Sequence, residues 1–128
     1  MSEREHPSSP QGWFEKANRD WQQIEERLRD DETEDAAFML HQSLEKYLKG
    51  YYVSRKWEIQ HTHNLADLLV ELIKDEPSFK DFQDLCEEIS EFYFLEWSPS
   101  PEKIPSREKI EETMQQATIL VERIKSGL

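Results

Sequence analysis

The sequence predicts an all-α protein, an up-and-down bundle of four main helices with one short extra helix. Apolar residues recur at steps of three and four along five segments, which is the period of an amphipathic helix. No stretch alternates apolar and polar residues as a half-buried strand does. The 128 residues include only three glycines and six prolines, so long helices are expected. Short connections between them favour antiparallel neighbours.

The first two predicted helices flank the acidic segment 29–35, which reads RDDETED. Thr33 is the expected N-cap of the second helix, because a threonine hydroxyl accepts from the free amides of the first turn. The second helix reaches Trp57 at its furthest. The apolar stripe of the first helix comprises Trp13, Ala17, Trp21, Ile24 and Leu28. That of the second comprises Ala37, Leu40, Leu44, Leu48 and Tyr51.

Three more helices are predicted in the second half of the chain. Thr62 or Asn64 caps the third, which is shorter, and Ser78 caps the fourth. The proline-rich segment WSPSPEKIP at 97–105 breaks the fourth helix, and Ser106 caps the fifth. The residues expected to face inward are given for each helix in turn. They are Leu65, Leu68, Leu69, Leu72 and Ile73 in the third helix; Phe79, Phe82, Leu85, Cys86, Ile89, Phe92 and Tyr93 in the fourth; and Ile110, Met114, Ala117, Val121 and Ile124 in the fifth.

The length and composition predict one domain at 11–126, preceded by a flexible N-terminal tail at 1–10. The chain shows neither the apolar region of a signal peptide nor an apolar run of membrane-spanning length. Its single cysteine, Cys86, excludes an internal disulfide and is expected to be a small buried hydrophobic residue. We therefore expect a cytoplasmic protein without a membrane partner.

The net charge of −12 argues against a surface that holds long nucleic acid, because phosphate binding requires Lys and Arg to displace counterions. The segment 44–57 is an exception, with four basic residues against one acidic residue. Basic groups suit a phosphate and flat rings suit a base, so this composition favours a nucleotide. The basic residues are Lys46, Lys49, Arg55 and Lys56, and the rings are Tyr47, Tyr51, Tyr52 and Trp57.

A polar stripe follows the same helix, at Gln42, Glu45, Lys49 and Tyr52. Glu45 and Lys49 stand four residues apart in the order that favours an ion pair. Two interpretations fit the stripe: a solvated face that only fixes the bundle, or a ligand-binding surface. Gly50 lies inside this helix, where it is costly, and either a close helix approach or a frayed helix end explains it.

His61 and His63 stand two residues apart in the linker before the third helix. Two such histidines can hold a metal from an extended segment, but the sequence offers no cysteine pair, no HExxH motif and no evident third ligand. We therefore expect no metal and no other cofactor. The simpler expectation is that His63 forms local hydrogen bonds near a helix N-terminus.

Three motifs occur in order along the chain: WFEKANRDW in the first helix, AAFMLHQSLEKYLKGYY in the second, and THNLADLL at the start of the third. With these motifs the sequence resembles the HEPN family (higher eukaryotes and prokaryotes nucleotide-binding domain), and the resemblance covers nearly the whole chain. The second motif fits the family pattern F-x-x-x-Q-x-x-E-K-x-x-K. The matching positions are Trp13, Ala17 and Asp20; Phe38, Gln42, Glu45, Lys46 and Lys49; and Thr62, His63 and Leu65.

This resemblance implies a helical bundle that forms a homodimer. Many members act with a minimal nucleotidyltransferase as a two-component, toxin–antitoxin pair. Some members are metal-independent ribonucleases that carry an Arg-x(4–6)-His motif in a cleft at the dimer interface. Others lack the motif and bind nucleotides or partner proteins.

The chain departs from the ribonuclease pattern in its late part. Relatives of this type often carry Arg-Tyr-Pro after the fourth helix, whereas Glu96 and Trp97 reverse the charge here. No histidine follows His63, and the only Arg-x5-His match is Arg55 with His61, at a helix end and linker. This placement favours a chance match.

The leading prediction is a non-catalytic module that binds a nucleotide or a partner protein and acts with a nucleotidyltransferase. Its expected binding residues are Gln42, Glu45, Lys46, Lys49 and His63. One alternative is a ribonuclease toxin, in which Arg55 stabilises the developing phosphorane charge and His61 acts as general acid or base. The other is a purely structural helical interaction protein.

Overall fold

The computed structural model describes residues 8–96 and 101–127, and within them it has five α-helices and no strand. The helices are α1 (Pro10–Arg29), α2 (Thr33–Ser54), α3 (Leu65–Asp75), α4 (Gln83–Tyr93) and α5 (Arg107–Ser126). Short 3-10 helices lie at Pro77–Phe82, Phe94–Glu96 and Pro101–Lys103. The prediction of an all-α bundle is confirmed. In the part of the chain just given, no helix has the length and apolarity needed to cross a membrane.

Two predicted features fall partly outside the described residues. The N-terminal tail expected at 1–10 includes 1–7, and the break expected at 97–105 includes 97–100. Where the chain is described, α1 begins at Pro10 and the break continues as a short 3-10 helix followed by an extended Ser106.

The core forms around α2, which packs against each of the other four α-helices. Leu40, Leu44 and Leu48 on its predicted apolar stripe are fully buried. Burying a leucine side chain contributes about 1.5–3 kcal/mol, so this stripe is a main source of stability. Because α2 is enclosed, its polar side chains reach solvent only where the surrounding helices separate.

Side-chain caps fix where three helices begin. Ser9 accepts from the Gly12 amide at 3.1 Å, with Pro10 as the first residue of α1. Asn64 caps α3, which confirms one of its two predicted caps. Ser106 caps α5 and accepts from the Lys109 amide at 3.1 Å, as predicted.

The predictions of Thr33 and Ser78 as caps were wrong. Thr33 is the first residue of α2, and Glu32 occupies the N-cap position without a side-chain cap bond. Ser78 lies inside the 3-10 helix that Pro77 begins, because proline already has the backbone φ of a helical first turn. Its hydroxyl instead accepts a hydrogen bond from Arg123 of α5.

The end of α2 is well packed rather than frayed. A Cβ added to buried Gly50 would lie 2.5 Å from Cε1 of Phe14 and 3.2 Å from Cβ of Trp13, so close approach by α1 explains the glycine. The helix ends at Ser54, before the furthest predicted residue. It stops there because Lys56 adopts a left-handed backbone with φ of 60°.

Candidate functional site

A carboxylate from the predicted polar stripe is buried on α2. Glu45 is 6% exposed and accepts from Nζ of Lys49 at 2.7 Å and from Nδ1 of His63 at 3.0 Å. Burial raises the pKa of Glu45, but the hydrogen bonds from Lys49 and His63 outweigh it and hold that pKa below its ordinary value. Glu45 therefore stays ionised and joins α2 to the linker before α3.

The neighbouring His41 is completely buried and has polar partners on both ring nitrogens. Its Nε2 lies 2.6 Å from the carbonyl oxygen of His63, and its Nδ1 lies 3.1 Å from Oε1 of Gln42. The nearest oxygen of Glu45 is 3.8 Å from Nδ1. Burial lowers the pKa of His41 despite these hydrogen bonds, so the neutral ring is favoured.

Tyr93, at the end of α4, is the centre of an aromatic cluster. The ring of His63 stacks on it with centroids 4.3 Å apart and planes 13° apart. The rings of His41, Phe94 and Phe38 lie 5.1, 5.5 and 5.9 Å from it. These contacts bring together α2, the linker before α3 and the end of α4. Helical spacing predicts Tyr93 for the core stripe of α4, and it carries no signal for this contact with the linker.

A cavity of about 320 Å³ lies beside this cluster. The residues that line it are His61, Thr62, His63, Asn64, Ser90, Tyr93 and Phe94. The Ser90 hydroxyl is occupied, since it donates to the Cys86 carbonyl and accepts from the Leu65 amide. The side chains of His63 and Phe94 are more than half exposed, which leaves ring surface open to a ligand.

The structure separates Lys46 from the other predicted binding residues. Its Nζ pairs with Asp20 of α1, whereas Lys49 pairs with Glu45 and lies 5.9 Å from the Trp13 ring. Each lysine is therefore neutralised by a carboxylate that lies beside it. Of the basic residues of segment 44–57, Lys46 and Lys49 are therefore not free to hold a phosphate, whereas Lys56 is exposed beyond the end of α2.

The aromatic residues of the same segment are mostly core residues. Tyr47, Tyr51 and Tyr52 are at most 3% exposed, and the Tyr52 hydroxyl donates to the Leu68 carbonyl at 2.7 Å. These rings are therefore not available to stack on a base. Trp57 is half-buried and contacts Tyr51 and Tyr52.

Arg55 and His61, the alternative catalytic pair, have different surroundings. The Arg55 guanidinium donates to Asp75 at 3.0 Å, to the Tyr51 hydroxyl at 2.9 Å and to the Gly127 carbonyl at 2.8 Å. His61 is exposed and lines the cavity. Among the described residues, no hydrogen bond or ion pair joins the two. Through these hydrogen bonds Arg55 connects the end of α5 with α2 and α3.

No potential metal cluster of three or more His, Cys, Asp or Glu residues is found within 8–96 and 101–127. The Glu45 carboxylate accepts hydrogen bonds from Lys49 and His63, and the His41 ring bonds to the His63 carbonyl. Cys86 is buried, as predicted, and burial raises the pKa of its thiol to about 12. The thiol is therefore protonated and inert.

The fold resembles a solved structure of a bacterial protein. The crystal structure of TT1696 from Thermus thermophilus superposes with a TM-score of 0.80 at 21% identity, covering 93% of this chain and 98% of that one. At this identity the similarity shows the fold alone. No curated protein matches the sequence.

The family comparison covers nearly the whole chain. The HEPN domain matches residues 10–127, from the first residue of α1 to the residue after α5. This span includes the Glu45 cluster, the linker histidines and Tyr93. The chain therefore belongs to the HEPN domain family.

Proposed function

We propose that this HEPN protein is a non-catalytic module that binds a mononucleotide in the cavity beside His63 and Tyr93. The stacked pair of His63 and Tyr93 carries the proposal, because it presents an open imidazole face at the wall of a cavity. Stacking on a flat ring contributes about 1–3 kcal/mol per base and tolerates any base. Stacking therefore requires a planar base in the ligand but does not select one base over another.

The size of the cavity also favours a small ligand. Ligand pockets range from about 300 to 1,000 Å³, and this cavity of about 320 Å³ lies at the lower end. Hydrogen-bond donors for a phosphate are available at its wall from the imidazole of His61 and the side-chain amide of Asn64. Long RNA is disfavoured, because the chain carries a net charge of −12.

Residues of α2 support this site by holding His63 in position. Glu45 holds the His63 ring through Nδ1, and Lys49 neutralises Glu45. His41 holds the His63 backbone, with Gln42 on its other nitrogen. These groups preorganise the imidazole that meets the base, which lowers the entropy lost on binding. In this proposal Lys46 has no part in the site.

We further propose that the module forms a homodimer and acts with a minimal nucleotidyltransferase, as the family resemblance implies. Phe94 supports the dimer, since a side chain 58% exposed at the cavity rim is what a dimer-interface cleft would cover. The engagement of Arg55 by Asp75 and Gly127 supports a binding role rather than RNA cleavage.

Thermal unfolding tests the binding role directly. A mononucleotide that binds the folded state raises the melting temperature in a concentration-dependent way. Tyr93→Leu removes the ring that supports His63 and should remove this increase. If millimolar nucleotide raises the melting temperature of the Tyr93→Leu variant as much as that of the unaltered protein, the cavity is not the site.

A further inference from the structure

A separate groove runs between α1 and α5. Both helices pack against α2, and two adjoining cavities of about 210 and 530 Å³ lie between them. Trp21 and Thr118 line both cavities, so the two form one groove. None of its lining residues belongs to the cavity beside His63.

The groove is long enough for a helix. It extends along α1 from Asn18 to Leu28 and along α5 from Glu111 to Lys125, with the two helices antiparallel. At 1.5 Å per residue these stretches are roughly 15 and 21 Å long, the length of a helix of about 10–14 residues. Arg107 donates to the Leu28 carbonyl and so joins the start of α5 to the end of α1. The groove is therefore preformed.

Five of the twelve residues that line the groove are apolar or aromatic: Trp21, Leu28, Tyr47, Met114 and Val121. Trp21 and Met114 are half-buried members of the wall, and Leu28 and Val121 lie deeper at 5% and 8% exposed. Tryptophan and methionine are common where a protein receives apolar side chains from a partner, because one offers a large flat surface and the other adapts its shape.

The rim of the groove is acidic. Glu25, Glu111 and Glu122 are exposed, and none of them forms an ion pair within the described residues. The only basic residue among those lining the groove is Lys125, whose Nζ lies 5.3 Å from the Tyr47 ring. Unpaired carboxylates on both helices would attract positive charge on both sides of a bound segment.

We propose that this groove binds an amphipathic helical segment of another protein, with its apolar face on Trp21 and Met114 and basic side chains facing the three glutamates. Docking of an amphipathic helix in a hydrophobic groove is a recurrent recognition mode. A second copy of this chain is the wrong partner for an acidic rim, since the chain itself carries a net charge of −12.

A pair of labelled peptides tests the proposal. Both have 14 residues with leucines at helical spacing, and the flanking positions are lysine in one and glutamate in the other. Fluorescence anisotropy at physiological ionic strength should show that the lysine peptide binds at least about tenfold more tightly. If the two peptides bind equally, or neither binds, the proposal is wrong.

Two charge-matched variants separate docking in the groove from general attraction to an acidic protein. Met114→Glu places a carboxylate in the apolar wall and should weaken binding of the lysine peptide at least about tenfold. Ile119→Glu adds the same charge on α5 at a residue that is 56% exposed outside the groove, and should leave binding unchanged. Equal effects of the two variants would contradict docking in the groove.

Rim variants give a measurement that does not depend on the apolar wall. Glu111→Gln combined with Glu122→Gln should weaken the lysine peptide about fivefold, whereas Glu87→Gln with Glu108→Gln, at exposed positions outside the groove, should not. The comparison of these two double variants tests the proposal even if Met114→Glu fails to fold. If Met114→Glu instead converts a dimer into a monomer in sedimentation, the groove belongs to a second copy and the proposal is overturned.

Discussion

The buried imidazole of His41 lies with its Nε2 2.6 Å from the carbonyl oxygen of His63, which ties α2 to the linker before α3. A carbonyl oxygen only accepts, so Nε2 carries the proton of the neutral ring. The same linker residue stacks its side chain on Tyr93 and donates to Glu45. A buried histidine in the second helix thus positions an exposed one at the proposed binding site.

The first prediction concerns pH and His41. Burial lowers the pKa of His41, so the unfolded chain, where a histidine titrates near its ordinary pKa of 6.5, takes up the proton first as pH falls. The stability gained from the neutral ring is complete above about pH 6.5 and decreases below it. Urea unfolding at pH 7.5 and 5.5 should show the lower free energy of unfolding at pH 5.5.

His41→Phe is the control for this pH dependence. The variant keeps an aromatic ring against Tyr93 but loses the hydrogen bond from Nε2 to the His63 carbonyl, so its stability at pH 7.5 should fall by about 1–3 kcal/mol. Its loss of stability between pH 7.5 and 5.5 should be smaller than that of the unaltered protein. An equal loss would mean that other groups cause the pH dependence.

The second prediction compares two ion pairs of α2. Glu45→Ala leaves Lys49, whose side chain is 14% exposed, without its carboxylate and should cost about 2–4 kcal/mol. Asp20→Ala breaks the pair with Lys46, whose side chain is 25% exposed, and should cost about 1 kcal/mol or less. Urea unfolding measures the loss of stability in both variants. Equal losses would show that Glu45 is not the buried centre of the group that it forms with His41, Lys49 and His63.

The third prediction is that the purified protein does not cleave single-stranded RNA in the presence of a chelator. Arg55→Ala should lower the melting temperature, because Arg55 joins Tyr51, Asp75 and the end of α5. RNA should remain intact with the variant and with the unaltered protein alike. Cleavage that both Arg55→Ala and His61→Ala abolish, without unfolding, would establish the ribonuclease alternative.

The fourth prediction is a homodimer with twice the 15.4 kDa mass of the chain. Light scattering at micromolar concentration measures this mass. Phe94→Asp should shift it towards the monomer, because a charge placed inside an apolar interface is costly. Val70→Asp, at another exposed apolar residue, should not. A mass near 15.4 kDa for the unaltered protein would contradict the dimer.

Much of the core could be predicted from helical spacing alone. Leu40, Leu44 and Leu48 recur at steps of four and are fully buried, because period-3.6 spacing fixes which face of a helix meets its neighbours. The same spacing placed Glu45 and Lys49 side by side, and they do form an ion pair. The spacing could not predict that the carboxylate is buried.

The rest of the site depends on contacts between distant segments. His63 stacks on Tyr93, which lies thirty residues later in the sequence, and Lys46 forms an ion pair with Asp20 on α1. Spacing within one helix carries no information about such partners, so Lys46 looked equivalent to Lys49. Tyr52, on the predicted polar stripe, likewise looked available for stacking, although the close packing of the helices buries it.

The most direct test of the central claim is calorimetric titration of the four ribonucleoside monophosphates. We predict that at least one binds, that His63→Ala weakens it at least about tenfold, equivalent to about 1.4 kcal/mol, and that Lys46→Ala leaves the affinity unchanged. His63 is the open ring at the cavity, and Lys46 lies on α2 with its charge held by Asp20. The absence of heat with all four nucleotides, or an equal loss of affinity in the two variants, would contradict nucleotide binding at this site.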